Sequence, residues 1–404
     1  MAHAVTYREL GGRGFRFWGL LAALGVPLAL GALAYFYMEH NGHVVTGMDN
    51  QIVWGMPHVF AVFLIVAASG ALNVASTASV FGKTAYKPIA PLSALLAVSL
   101  LVGGLAILVL DLGRSDRLIV AMTHFNFTSI FALNIFLYTG FMGIVTVYFW
   151  FMLERRMNRY AKAMGMLAFL WRLTLTTGTG SIFGFLLARE AYDSALLAPM
   201  FIVFSLAYGS AIFIAVLLAA CRWDGRPVAD ELLRRLKNLL AIFVAASLYF
   251  VAVFHLTKLY QARWAGVERF ILADGGVHTL LFWVGQIGLG GVLPLVLLFH
   301  PRLSASRKTI LAACALVVIG GLSQMYVTII GGEAYPQILF PGMRESSSFF
   351  DGVVHPYAPS APEVLLGLGG VALALAIVAV ALRAIPLLPE RLDTLAGEAP
   401  AGSH

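Results

Sequence analysis

Three ionisable side chains interrupt otherwise apolar runs: His58 in WGMPHVF, Asp111 in LDLGRSDR and Arg172 in FLWRLTLTTGTG. Ionisable groups within a membrane are costly and usually face protein, water or a ligand, so these are the first places to look for chemistry. His58 follows Pro57, which suits a first helical turn. A histidine at that depth can exchange a proton with the aqueous side and hydrogen-bond a carbonyl oxygen. Arg172 needs acceptors, whether carbonyls, Thr hydroxyls or a carboxylate, because an unanswered buried guanidinium is very unfavourable. Asp111 is the best ionised partner for it if their helices adjoin.

Weaker polar groups gather near these three. His124 and Asn126 in MTHFNFTS stand at the same outer level as His58, and Asn134 and Tyr138 follow one and two turns inside on one helix face. Together they suggest a polar pocket at the outer ends of the second to fourth spans. Two polar stripes run deeper: Ser69, Asn73 and Ser76/Thr77 on one helix, and Arg172, Thr176 and Thr179 on another. They suit a proton route through side chains and water, or equally hydrogen bonds between close-packed helices. His255 and His278 fit one depth on antiparallel neighbours, which would suit a bis-histidine haem b.

These residues must be positioned by membrane helices. The chain is 60% hydrophobic and 12% charged over 404 residues, with a mean hydropathy of +0.86, far from the balance of a soluble domain. Apolar helices of about 20 residues are needed to cross a bilayer core of about 30 Å. Ten segments qualify, near 16–38, 57–80, 90–111, 128–152, 163–187, 198–221, 238–257, 277–299, 307–330 and 363–386. The runs are continuous and lack a period of two, which excludes a barrel. The expected fold is therefore all-α, a polytopic bundle in contact with lipid.

The net charge of +7 does not point to nucleic acid, because the basic residues cluster in short connections between apolar runs. Alternate connections hold 19 and 7 Lys and Arg residues, which places both termini in the cytoplasm. The first run is long enough to be a retained span and not a cleaved signal. Cys221 and Cys314 stand alone, with no Cys or His at metal-ligand spacing, so no disulfide framework or metal site is expected from them. The segment 228–237, VADELLRRLK, reads as a short amphipathic surface helix. The glycine pair Gly180 and Gly184, and Gly285 to Gly291, read as packing surfaces.

The segments WGMPHVFAVFLIVAASGALNVAS, LDLGRSDR and HFNFTSIFALNIFLYTGF resemble the NrfD/PsrC-type membrane subunits of respiratory oxidoreductases, over about residues 50–390. The stretch GGEAYPQILFPGMRESSSFFDGVVHPYAPSAPEVLLGLGG looks especially like the P subunits of the membrane complex that accompanies dissimilatory sulfite reductase. The resemblance implies two four-helix bundles, at 57–187 and 198–330, with flanking helices and an outer capping loop at 331–362. It implies a quinone, menaquinone or ubiquinone, bound near the outer face by a subunit with no metal or haem of its own. The quinone-facing histidine then falls on His58, the polar residues before the third bundle helix on His124 and Asn126, and the acid at the end of the second on Asp111.

Implied partners are a periplasmic ferredoxin-type iron–sulfur subunit, a haem-b membrane subunit, a multihaem cytochrome c and a cytoplasmic iron–sulfur subunit, in a bacterial inner membrane. The site expected from residues and resemblance together has His58 and Asp111 as proton acceptors. His58, His124, Asn126, Asn134 and Tyr138 hold the quinone, and Asn73, Arg172, Thr176 and Thr179 carry protons. Rival readings are a secondary transporter with Arg172 at a midplane site, a haem-b subunit using His255 and His278, and a structural anchor.

Overall fold

The computed structural model describes residues 6–11, 14–337 and 352–392. Ten long helices follow one another, matching the ten apolar runs. They are α1 (Phe15–Asn41), α2 (Met56–Ser79), α3 (Thr84–Leu110), α4 (Ile130–Leu153), α5 (Ala161–Gly184), α6 (Leu197–Trp223), α7 (Asp230–Leu259), α8 (Val277–Phe299), α9 (Arg307–Ala334) and α10 (Ala361–Ala384). Among the described residues, nine are apolar and long enough to cross a membrane. The tenth, α5, has 24 residues and carries Arg172 and a run of Thr and Gly, which dilute its apolar character. The protein is multi-pass and integral to a membrane.

Helices α2 to α5 close into one ring of four and α6 to α9 into a second, joined where α2 and α5 meet α6 and α2 meets α9. Helix α2 lies at the centre of the molecule, with 89% of its apolar window buried, whereas α1 packs mainly on α10 and is only 11% buried. Large apolar side chains such as Trp18, Phe36, Tyr249 and Leu256 remain exposed, as befits a surface solvated by lipid.

Close approach of α2 and α6 depends on two glycines. A Cβ on Gly70 would overlap the Ser205 carbonyl oxygen, and one on Gly209 would overlap the Ala71 nitrogen. The helix is locally offset just beyond this contact, dividing at Leu72 into Met56–Ala71 and Asn73–Ser79. The glycines of α8 also serve packing, since Gly290 meets Gly320 of α9. The sequence within α8 takes wide π turns over Leu281–Val292.

The segment 228–237 is no separate surface helix. Ala229 is extended, Asp230 and Glu231 occupy the first turn, and the helix then runs unbroken to Leu259. Acidic residues favour a helix amino terminus, and Leu232, Leu233 and Leu236 are buried on the same face that continues into the span. Two short strands, β1 (Tyr7–Arg8) and β2 (Leu388–Pro389), pair antiparallel, so the two ends of the described chain meet. Arg226 secures them, donating to the carbonyls of Arg8, Glu9 and Leu388 while its guanidinium pairs with Asp224 at 2.6 Å. This is the end of the molecule that carries most of the Lys and Arg residues.

Candidate functional site: a histidine–carboxylate pair at the outer end of the first bundle

His58 is in the first turn of α2, where Gly55 precedes the helix and Pro57 fixes its backbone. Asp111 caps the carboxyl end of α3. Because α2 and α3 are antiparallel neighbours, both side chains arrive at the same end of the bundle. His58 Nδ1 lies 3.1 Å from Asp111 Oδ2, with the imidazole 21% exposed and the carboxylate fully buried. The approach is close but lacks the alignment of a hydrogen bond, and neither carboxylate oxygen has another hydrogen-bond partner. The positive end of the α2 dipole favours a negative charge beside this first turn.

An aromatic wall stands beside the pair. The Trp54 ring is 6.2 Å from that of His58, 5.9 Å from Phe131 of α4 and 5.7 Å from Phe183 of α5. Trp54 and its neighbours are held from several sides. The Trp54 amide donates to Glu333 Oε2 at 2.9 Å, and the Met56 amide donates to the Tyr357 hydroxyl at 2.6 Å. That hydroxyl donates in turn to Glu363 Oε1 at 2.7 Å, while Glu363 Oε2 accepts from Gly47 and Ser360. Arg189 bridges the carbonyls of Gln51 and Glu333. Burial, followed by the hydrogen bond to the Glu363 carboxylate, holds the Tyr357 phenol well above its ordinary pKa, so it stays a donor.

The other expected residues separate into three groups. Asn134 and Tyr138 turn from α4 to α5: the Asn134 amide donates to Ile130 and Gly178 carbonyls, and the Tyr138 hydroxyl is 3.4 Å from that of Thr179. Arg172 does not pair with Asp111. It donates to the Ser69 carbonyl and to Asn73 Oδ1, each at 3.2 Å, and its guanidinium lies over the Phe169 ring. The reason is depth: Asp111 ends α3 at the outer level, while Arg172 is midway along α5. Thr176 donates to the Arg172 carbonyl at 2.6 Å, and Ser69 lies 3.4 Å from Thr176. The two polar stripes thus knit α2 to α5.

His124 and Asn126 lie exposed on the α3–α4 connection and bond locally, His124 to Thr123 and Asn126 to Thr128. Neither makes a hydrogen bond to His58 or Asp111. His255 and His278 do not face one another as axial ligands would. His255 Nδ1 is 2.7 Å from Glu268 Oε2, and His278 packs between Phe270 and Tyr326. Among the described residues no group of three or more His, Cys, Asp or Glu side chains is placed to hold a metal ion.

Sequence reasoning missed Trp54, Arg189, Glu333, Glu363 and Glu268. Glu363 had a local signal, a Ser followed three residues later by Glu before an apolar run. The others become visible only when distant loops meet. The described flanks of the expected outer cap, up to Gln337 and from Gly352, take part in this network; its middle, residues 338–351, lies outside the described residues.

Two four-helix rings with a buried carboxylate and a partly exposed imidazole at one end make up a multi-pass membrane protein. The family described as "Polysulphide reductase, NrfD" matches residues 44–337, and the chain belongs to that family. It is similar to the Hdr-like menaquinol oxidoreductase integral membrane subunit of Archaeoglobus fulgidus, 29% identical over 96% of this chain and 98% of the relative. It is also similar to the C subunit of the selenate reductase of Mesobacillus selenatarsenatis, 22% identical over 90% of this chain and 93% of the relative. Protein NrfD of Escherichia coli is 25% identical over 70% of this chain and 96% of its own length.

Proposed function

We propose that this protein is the membrane anchor of a quinol-linked oxidoreductase complex and receives a quinone head group at the outer end of its first bundle, within residues 57–187. The observation that carries this reading is the His58–Asp111 pair: a buried carboxylate with unpaired oxygens, 3.1 Å from an imidazole that reaches the surface. Such a pair suits a hydroxyl or carbonyl ligand that brings or takes a proton. A quinone, when bound, supplies two-electron chemistry coupled to protons. Trp54, tilted 56° from Phe131 and edge-on to Phe183 at 87°, offers aromatic faces and edges against which such a ring can pack.

In this mechanism Asp111, 3.1 Å from Nδ1, stabilises the charged form of the imidazole by charge attraction, leaving the opposite ring nitrogen, Nε2, to meet the ligand. His58 accepts a proton as the ligand is oxidised, or donates one as it is reduced, and Asp111 compensates the charge. Exposed His124 and Asn126 form the outer rim, and Asn134 and Tyr138 lie behind it on α4. Asn73, Arg172, Thr176 and Thr179 are proposed to carry protons between the helices.

The name of the Archaeoglobus relative supports menaquinone over ubiquinone. Resemblance of the outer loop to the sulfite reductase-associated P subunits supports a place in sulfur metabolism in a bacterial inner membrane. The partners proposed on that resemblance are a periplasmic ferredoxin-type iron–sulfur subunit that exchanges electrons with the bound quinone, a haem-b subunit, a multihaem cytochrome c and a cytoplasmic iron–sulfur subunit.

The deciding experiment is menaquinone content of the purified protein and titration with a quinol analogue, wild type against His58→Ala. Retained quinone in the wild type with weaker binding in the variant is expected. Equal binding by both proteins would remove His58 from the site.

A further inference from the structure

The second bundle contains a polar interior that the reading above does not use. We propose that the space enclosed by α6 to α9 holds ordered water and serves as a second proton-exchange site, with the His255–Glu268 pair at its outer end and Gln286 within it.

Two small cavities, of about 20 and 30 Å³, lie in this bundle and share Val251, Gln286 and Gln324 in their walls, each large enough for a water molecule or two. Gln286 is 6% exposed, and neither its Oε1 nor its Nε2 has a hydrogen-bond partner. A buried amide in that condition is costly unless something supplies both a donor and an acceptor. Water does both, and buried waters in proteins meet this need at polar cavities. Further polar groups on the same walls are Ser247 of α7 in one cavity and Gln324 and Thr328 of α9 in the other, with Gln324 Nε2 donating to Thr328 Oγ1 at 2.9 Å. Gln286 sits in the π turns of α8, where the wider backbone carries its side chain inward, a geometry often found at functional sites.

His255 lines the outer cavity, two helical turns from Ser247 on one face of α7. Its Nδ1 meets Glu268 Oε2 at 2.7 Å, and the other carboxylate oxygen, Oε1, is buried without a partner. Charged neighbours come from α7 and from the connections before α6 and after α7, whereas α8 and α9 contribute uncharged side chains, Phe282 on His255 and Gln286, Gln324 and Thr328 in the cavity wall. Lys258 of α7 donates to the carbonyls of Glu190 and Ala191, and Arg263 pairs with Asp193 on the α5–α6 connection. The carboxylate of Glu190 lies near Lys258 and Arg263. The step is a proton transfer alone: one proton passes between outer water, the imidazole or carboxylate, and internal water, and the charge of the pair changes by one. No electron moves, so the site works whether or not quinone binds in the first bundle.

The test uses the full chain reconstituted in lipid, with infrared difference spectra recorded on pH jumps in H2O and D2O. The wild type should show a titrating band of the pair that shifts promptly in D2O, that Glu268→Gln abolishes and that His58→Ala leaves in place. A band absent from the wild type, untouched by Glu268→Gln or closed to deuterium would overturn the proposal. Thermal unfolding of Gln286→Met is the second measurement. A hydrated amide predicts no gain in Tm; a rise would mean that Gln286 sits in a dry void, and the water site would fall.

Discussion

At the residue scale, the His58–Asp111 pair departs from what a stable membrane core would select. A carboxylate buried without hydrogen bonds is expensive, and its place beside an imidazole that is 21% exposed fits a group that exchanges protons. Positioned acids and bases contribute about 10²- to 10⁴-fold to a rate. Both His58→Gln and Asp111→Asn should therefore lower quinol-linked turnover of the assembled complex by about 10²-fold or more. The double variant should be little worse than either single one, because the pair acts as a unit; steady-state assays of all three would show it. Arg172 presents a different case. Its partners are the Ser69 carbonyl and Asn73, so Arg172→Met removes a polar link between α2 and α5 without stranding a carboxylate. Slower proton release with unchanged quinone content is the expected outcome, read by a pH indicator during turnover.

At the scale of elements, the site depends on how α2 begins. Its first turn is anchored by Tyr357, which accepts from the Met56 amide and donates to Glu363. Tyr357→Phe removes both bonds and leaves a buried carboxylate oxygen short of a donor, a loss of about 1–3 kcal/mol. Hydrogen exchange should quicken over residues 46–58, and quinone affinity should fall, while the second bundle keeps its protection. The contact between α2 and α6 is less forgiving. Gly70→Val would force side-chain atoms into the Ser205 carbonyl, and overpacking a tight core costs about 1–3 kcal/mol or more. A lowered thermal midpoint, or loss of the protein from the membrane fraction, is the expected result.

At the scale of the whole molecule, the basic end where β1 and β2 meet lies opposite the end that carries His58 and Asp111. Both native cysteines are buried, so introduced cysteines can report sidedness. Asp116→Cys, near the His58 end, should react with a membrane-impermeant thiol reagent on intact cells. Asn158→Cys, at the basic end, should react only after permeabilisation. Labelling in the reverse pattern would invert the molecule and place the site in the cytoplasm.

The sequence alone determined the all-helical membrane fold, the ten long helices and the depth of each polar group along them. Apolar run length is dictated by bilayer thickness, and position along a helix follows from its fixed rise. It also brought out His58 and Asp111, because charges within apolar runs are conspicuous without any knowledge of packing. Only the tertiary structure decided which groups meet. It paired Asp111 with His58 and not with Arg172, answered Arg172 with a carbonyl and an Asn, turned His255 to Glu268, and left His124 and Asn126 to their own chain neighbours. It also merged the expected surface helix at 228–237 into α7. The physical reason is that a hydrogen bond requires a match of depth, azimuth and distance on two different helices. Sequence periodicity specifies the first and part of the second, while the third is set by close contacts such as Gly70 against Ser205.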